Sequence, residues 1–441
     1  MKKERNMQAT KLPKMIRVKQ QFDNQRVQDI TRQITQQIKD LSSNMPVQPG
    51  QTVAVACSSR GLTDYPEIVK AVVDNLRQMK LKPFLVPAMG SHGAGTAVGQ
   101  ERVLLHLGLT QEAVGAKILS SLDVVDLGKT AQGIPVMVDR FAFEADHIVL
   151  INRIKKHTDF MGEFESGLMK LMVIGLGKIA GAGIYHQAMM SFGSSNVIAA
   201  GARHVLDKCN ILFGVATIEN GYGEVADVGV FPPEEIELKE KAFFSRSMEI
   251  SPKLPFDEAD IILIDEIGKE ISGAGFDTRV VGRIRLPGTP EPTKPSIKRI
   301  ILSDITKISE GNACGFGLAD IITRRLADKV DQASTDTNTI VSMALEMGKT
   351  PLVMPNDKEA LALAMRCIGF VPSDQIKIIR IKNTLCLSEV DVSQAYAPLI
   401  NDRSNLNIIR QARDMLFDTN GYFNEFFSMD EGCDSPIDMK S

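Results

Sequence analysis

The feature that most constrains this chain is a recurring unit. It consists of a short, nearly unbroken apolar run, a polar loop rich in glycine, and a longer stretch with helical spacing. Thr52–Cys57 (TVAVAC) opens the series, followed by SSRGLT and a helix from about Tyr65 to Met79. Pro83–Pro87 runs into AMGSHGAGT and a further helix, and Ile148–Ile151 runs into NRIKKHTDF. A long helix near His186–Leu206 then leads to Ile211–Thr217. Apolar runs of this length suit strands buried on both faces, and their alternation with helices predicts α/β architecture. Asp64 and Glu67, with Pro66 between them, read as a capping box for the first of these helices.

A second series opens at Asp260–Asp265 and continues through Arg299–Ser303, Leu352–Met354 and Ile376–Ile381. The expectation is therefore two doubly wound α/β domains with a cleft between them. The first spans 1–240, with 1–20 extended, and the second spans 255–425. Val230–Leu254 reads as the connection, because Pro232, Pro233, Pro252 and Pro255 bracket a charged helix. LPGTPEPTKPS reads as an exposed loop, and 429–441, acidic and almost without apolar residues, as a disordered tail.

Composition narrows the partners. The 441 residues carry 51 Lys+Arg against 54 Asp+Glu, a net charge of −3, and no Trp. That balance argues against a protein built to grip nucleic acid or an anionic membrane. The six cysteines form no CxxC, so neither a disulfide framework nor a structural zinc site is expected. The basic start lacks the apolar run of a signal peptide, and no 18-residue apolar stretch occurs. A cytoplasmic protein is the expectation.

Ligands of open parallel sheets bind beyond the carboxyl ends of the strands. Three such ends feed unusual loops here: Ser58-Ser59-Arg60-Gly61, Gly90 through Thr96 around His92, and Arg153 through Asp159 with His157. Arg60 is either a plain turn residue or an anion contact helped by the following helix N-terminus. The glycines around His92 favour close approach to a ligand over a packed core histidine. His157 stands in a run of charge that solvent alone would explain. Lys170 lies among Leu168, Met169, Leu171 and Met172, where a lysine must snorkel, pair or react. His186 follows a glycine run and could simply pack at the start of its helix. His106, His147 and His204 are placed as structural residues. Gly175-Leu176-Gly177-Lys178-Ile179-Ala180-Gly181 is a loose dinucleotide fingerprint, weakened because no acidic strand end follows at about 20 residues.

Together these residues resemble the nickel-dependent lactate racemase family and its 2-hydroxyacid racemase and epimerase relatives. The resemblance runs over about Thr52–Thr217, through Arg60, Gly90-Ser91-His92, and His157…Ser166-Gly167…Lys170…His186. It implies a nickel-pincer nucleotide, with Lys170 as covalent anchor and His186 as nickel ligand. It also implies His92 and His157 as the acid/base pair, with Ser58, Ser59 and Arg60 near the cofactor phosphate or the substrate carboxylate. A small 2-hydroxy acid would be the substrate, and cofactor-assembly proteins would be partners. The chain departs from the family pattern in several places. The first loop has no aspartate, and Glu165-Ser166-Gly167-Leu168-Met169-Lys170 replaces the glycine pair before the lysine. The stretch from His157 to Lys170 is a few residues longer than usual, and the second half resembles the lactate enzymes only vaguely. In the second domain Lys269, Arg279 and Arg283 are candidates to clamp a carboxylate, the alternative being a solvated basic loop. Two other classes compete with the racemase: a nicotinamide-dependent oxidoreductase and a non-catalytic nucleotide- or metabolite-binding module.

Overall fold

The computed structural model describes residues 11–59, 61–158, 161–287 and 289–424. The chain divides into two compact units, Asp23–Ser251 and a second that joins the N-terminal segment through Phe22 to the residues from Pro252 onward. The N-terminal strand, β1 (Met15–Gln20), accounts for that division. It lies antiparallel between two strands from the far end of the chain. The expected first domain therefore loses its N-terminal strand to the second. The expected tail at 429–441 lies outside the described residues.

The unit Asp23–Ser251 contains β2 (Thr52–Cys57), β3 (Lys82–Pro87), the hairpin β4 (Val124–Lys129) and β5 (Pro135–Asp139), β6 (His147–Arg153), β7 (Ile211–Glu219) and β8 (Val225–Phe231). Its main sheet has the order β3-β2-β6-β7-β8. The first four strands are parallel and β8 is antiparallel to β7. Alternate residues of β2 enter two cores. Val53, Val55 and Cys57 pack with the helices Ile30–Ser42 and Tyr65–Gln78. Ala54 and Ala56 pack with Leu168, Met172, Val197 and Val205 on the other face. Helices thus cover both faces, which is the doubly wound arrangement expected.

Two local expectations change. Asp64 adopts a left-handed conformation (φ 59°) and makes no side-chain cap bond; Glu67 instead accepts from Thr31 Oγ1 at 2.9 Å. The supposed connecting helix, Ile236–Ile250, buries Ile236, Glu240, Ser247 and Ile250 along one face and packs on β7. It is part of the first unit because that face is a continuous core stripe.

The second unit has one mixed sheet. Its further strands are β9 (Glu258–Ile267), β10 (Ser296–Ile305), β11 (Ile321–Thr323), β12 (Leu352–Met354), β13 (Ile378–Ile381), β14 (Glu389–Ser393) and β15 (Leu406–Arg413). The order is β12-β11-β10-β9-β13-β14-β1-β15. The strands from β12 to β13 are parallel, as expected, whereas β14, β1 and β15 form an antiparallel extension. Cys57, Cys209, Cys314 and Cys367 are free, and Cys386 is disulfide-bonded. Among the described residues no single helix is long and apolar enough to cross a membrane.

Candidate active site

In chain order the five main strands of the first unit lie 2-1-3-4-5, so the strand order reverses between β2 and β6. Beyond the carboxyl ends of such a switch point lies the usual ligand crevice of doubly wound sheets. The Ser58-Ser59 loop leaves β2, the His157 loop leaves β6 beside it, and the His92 loop leaves β3 on the other side. Strand spacing puts the ends of β3 and β6 about 10 Å apart on either side of β2. Arg60 lies outside the described residues.

Each loop is tied down through its main chain. Gly90, Gly93, Ala94 and Gly95 all have positive φ (57°, 65°, 54° and 63°), a conformation that glycine adopts without steric cost. A Cβ at Gly90 would stand 3.3 Å from Ile174 O and 3.4 Å from the Ala182 Cβ. The His92 loop therefore rests directly on the segment joining Lys170 to His186. Its ring nitrogen Nδ1 hydrogen-bonds Ser59 Oγ, which links the first two loops. Gln100, fully buried, donates to Gly90 O at 2.8 Å and to His92 O at 3.4 Å.

The His157 loop is closed by an antiparallel bridge between Lys155 and Ser166. Within it the buried carboxylate of Glu165 accepts from His157 N at 2.8 Å and from Gly162 N at 3.2 Å. Glu165, which departs from the family pattern, thus shapes the loop that presents His157. Glu219, at the end of β7, accepts from Thr63 N at 3.1 Å and pairs with Arg153 of β6. It ties the β2 loop to its neighbours.

Lys170 ends a short helical turn, Leu168–Lys170, that continues as a π-helical turn over Leu171–Gly175. The chain then bends by 112° into the helix Lys178–Phe192, which carries His186. Glu240 reaches under the first turn and accepts from Met169 N at 2.9 Å. A Cβ at Gly167 would collide with its carboxylate, which explains the glycine. Asn152 Nδ2 donates to Gly167 O at 2.7 Å. Glu240 faces no cation there, and burial pushes its carboxyl up to about 7. His186 is pushed down to about 4, first by burial and then by the nearby Lys170 charge. A neutral imidazole beside a lysine is the protonation state a metal-ligating histidine needs.

The loose dinucleotide fingerprint has another role. Gly175 gives way to Ala88 O, and a side chain at Gly177 would strike the carbonyl of Val173. These glycines pack a helical bend that follows a helix, so the strand-to-helix phosphate loop of a nicotinamide site is not what they build.

Two of the second-unit candidates, Arg283 and Lys269, are held by their own head groups. Arg283 is largely buried; it pairs with Asp320 at 2.7 Å and donates to the carbonyls of Leu318, Ile297 and Lys298. Its reading as a carboxylate clamp gives way to a structural one. The Lys269 ammonium is held by Gly273 O and Asn338 Oδ1. Arg279 is half-buried in the turn Thr278–Val281, which Asp277 caps. A cavity of about 280 Å³ in the first unit is lined by Gln132, Glu163, Phe192, Ser195 and Arg203 among others, and none of the candidate residues borders it. Among the described residues no three His, Cys, Asp or Glu gather as a metal-holding set.

Residues 2–197 match the family model described as the lactate racemase N-terminal domain. Among solved structures, the lactate racemase apoprotein from Thermoanaerobacterium thermosaccharolyticum aligns over 66% of this chain and 74% of its own, at 14% identity and a TM-score of 0.46. No curated protein matches.

Proposed function

We propose, from the premise that residues 2–197 match a lactate racemase N-terminal domain, that this protein interconverts the configurations of a 2-hydroxy carboxylate. The observation that carries the reading is the docking of the His92 loop, through Gly90, on the Lys170–His186 segment at the switch point of the sheet. His157 enters the same edge from the neighbouring strand on the opposite side of the serine loop.

The donor set fits a nickel-pincer nucleotide. Lys170 stands close enough to depress His186, so a covalent anchor and a neutral imidazole ligand lie side by side. Remaining donors for a metal at His186 would come from the organic group, a soft sulfur-rich set compatible with nickel. When bound, that group supplies an electrophilic carbon that accepts the α-hydrogen together with its electron pair. The chain's own residues do the rest. One histidine takes the hydroxyl proton as the α-hydrogen leaves, a role suited to imidazole, the side chain that most readily takes and returns a proton near neutral pH. The substrate carbon becomes planar, and return from the opposite face, served by the other histidine, inverts it. Ser58 and Ser59, with Arg60, hold the cofactor phosphate or the substrate carboxylate.

The test uses full-length protein purified from cells that make the cofactor, given single enantiomers of a panel of 2-hydroxy acids deuterated at the α carbon. The expected result is inversion of at least one acid with its deuterium retained. His92→Ala and His157→Ala should each lower turnover by about 10²–10⁴-fold without loss of folding. Washout of the label overturns the hydride route, and no inversion across the panel overturns the racemase reading.

A further inference from the structure

Three polar side chains with no assigned role are sealed beneath the His92 loop. Lys178, Asp139 and Gln100 are each 0% exposed. The Lys178 ammonium donates to Pro87 O at 2.5 Å and to Gln100 Oε1 at 3.2 Å, and lies 3.0 Å from Asp139 Oδ2. It thus makes two hydrogen bonds and one ion pair. Asp139 is fixed in turn: Oδ1 accepts from Ala142 N at 2.9 Å, and its own N–H donates to Leu176 O at 2.7 Å. Gln100 spends its amide nitrogen on Gly90 O and His92 O.

Burying an ion pair costs several kcal/mol per charge, and apolar residues of similar volume often stabilise a core as well or better. Packing alone therefore gives no reason for this trio. What it does is tie two carbonyls of the loop to the buried pair: Gly90 O, and His92 O, which also accepts from Gly95 N at 3.3 Å. With Oε1 held by Lys178, the Gln100 amide cannot flip, so its N–H₂ must point at the loop. We propose that Gln100 is a positioning residue for His92, oriented by the buried Lys178–Asp139 pair. Together with the Ser59 contact on Nδ1, it fixes the main chain from which the His92 ring projects and holds the ring in one orientation. This rests on the functional reading above for the role of His92, but the arrangement itself can be read without cofactor or substrate.

The chain has six histidines, so ¹⁵N-histidine labelling of the full-length protein gives few enough signals to follow. The His92 signal is identified by its loss in His92→Gln. At pH 8 the wild type should show His92 in one fixed environment, as sharp ring-nitrogen signals. Gln100→Glu keeps an acceptor for Lys178 but cannot donate to either carbonyl, so its His92 signals should shift and broaden while those of the other histidines stay as in wild type. Lys178→Met/Asp139→Leu, an apolar replacement of the pair, should do the same. In loaded enzyme both variants should lose about 10-fold or more in kcat with little change in KM, at the low end of what positioned acid/base catalysis contributes. A wild-type His92 signal in Gln100→Glu overturns the proposal whether or not the double variant folds. If the change in the His92 signals appears but no acid is inverted by wild-type enzyme, the positioning stands and the racemase reading falls.

Discussion

Gln100 in the first unit and Asp320 in the second are both polar groups that reach across a sheet edge, yet they grip different things. Gln100 holds two carbonyls of the loop that carries His92, and Glu165 and Glu240 likewise hold the amides of His157 and Met169. Asp320 holds the guanidinium of Arg283 itself, as well as the Ile300 amide. Around His157 and Lys170 and at the His92 loop the supporting groups act on the main chain, which fixes where a side chain starts. At Arg283 the support takes up the charged head. A cation after a strand is therefore no guide to chemistry by itself. What separates the two cases is whether its partners take the backbone or the functional group.

Glu240 offers the largest test of that contrast. Its folded value near 7 lies above the ordinary 4.5, so the folded state binds this proton more tightly than the unfolded chain does. Its contribution to stability is full below about pH 4.5 and is lost as pH rises through about 7. The difference of roughly 2.5 units corresponds to about 3 kcal/mol. Glu240→Gln should remove that slope, making the variant more stable than wild type at pH 8 relative to pH 5, as read from unfolding midpoints. Parallel pH profiles for the two proteins would show that Glu240 has a cationic partner after all and would break the comparison.

Arg283→Met sharpens the other side. Removing the guanidinium leaves Asp320 and three carbonyls without it, and because the pair is partly open to solvent the cost should be about 2 kcal/mol. Affinity and selectivity among 2-hydroxy acids should not change. A variant of undiminished stability with altered selectivity would return Arg283 to the substrate.

The fold was legible where strands are buried on both faces. The apolar runs of β2, β3, β6, β7 and β9 mark themselves, and Leu352–Met354 matches β12 to the residue. β1, β14 and β15 were not legible: β15 is open on one face and alternates polar with apolar residues, whereas β1 and β14 are buried but carry the ion-paired Arg17 and Asp391, and Met15–Gln20 has no local partner. The site divides the same way. Glycines, serines and histidines after strand ends announce the loops, since ligand approach and turning demand those residue types locally. Lys178 shows in the sequence only as an interruption of an apolar run, and its partners Gln100 and Pro87 lie 78 and 91 residues away. Glu240, hidden in what looked like a linker, supports an amide 71 residues distant. Side chains that serve the main chain across such separations leave no spacing to read.

The central claim is that Lys170, half-buried beside His186, is the reactive lysine, whereas Lys178, sealed and ion-paired with Asp139, is scaffold. Intact mass of the full-length protein purified from cells that assemble the nickel-pincer nucleotide tests it most directly. The account predicts a covalent adduct of nucleotide size that maps to Lys170 and vanishes in a folded Lys170→Ala variant. An unmodified wild-type protein, or an adduct that persists in Lys170→Ala or maps to Lys178, would contradict it.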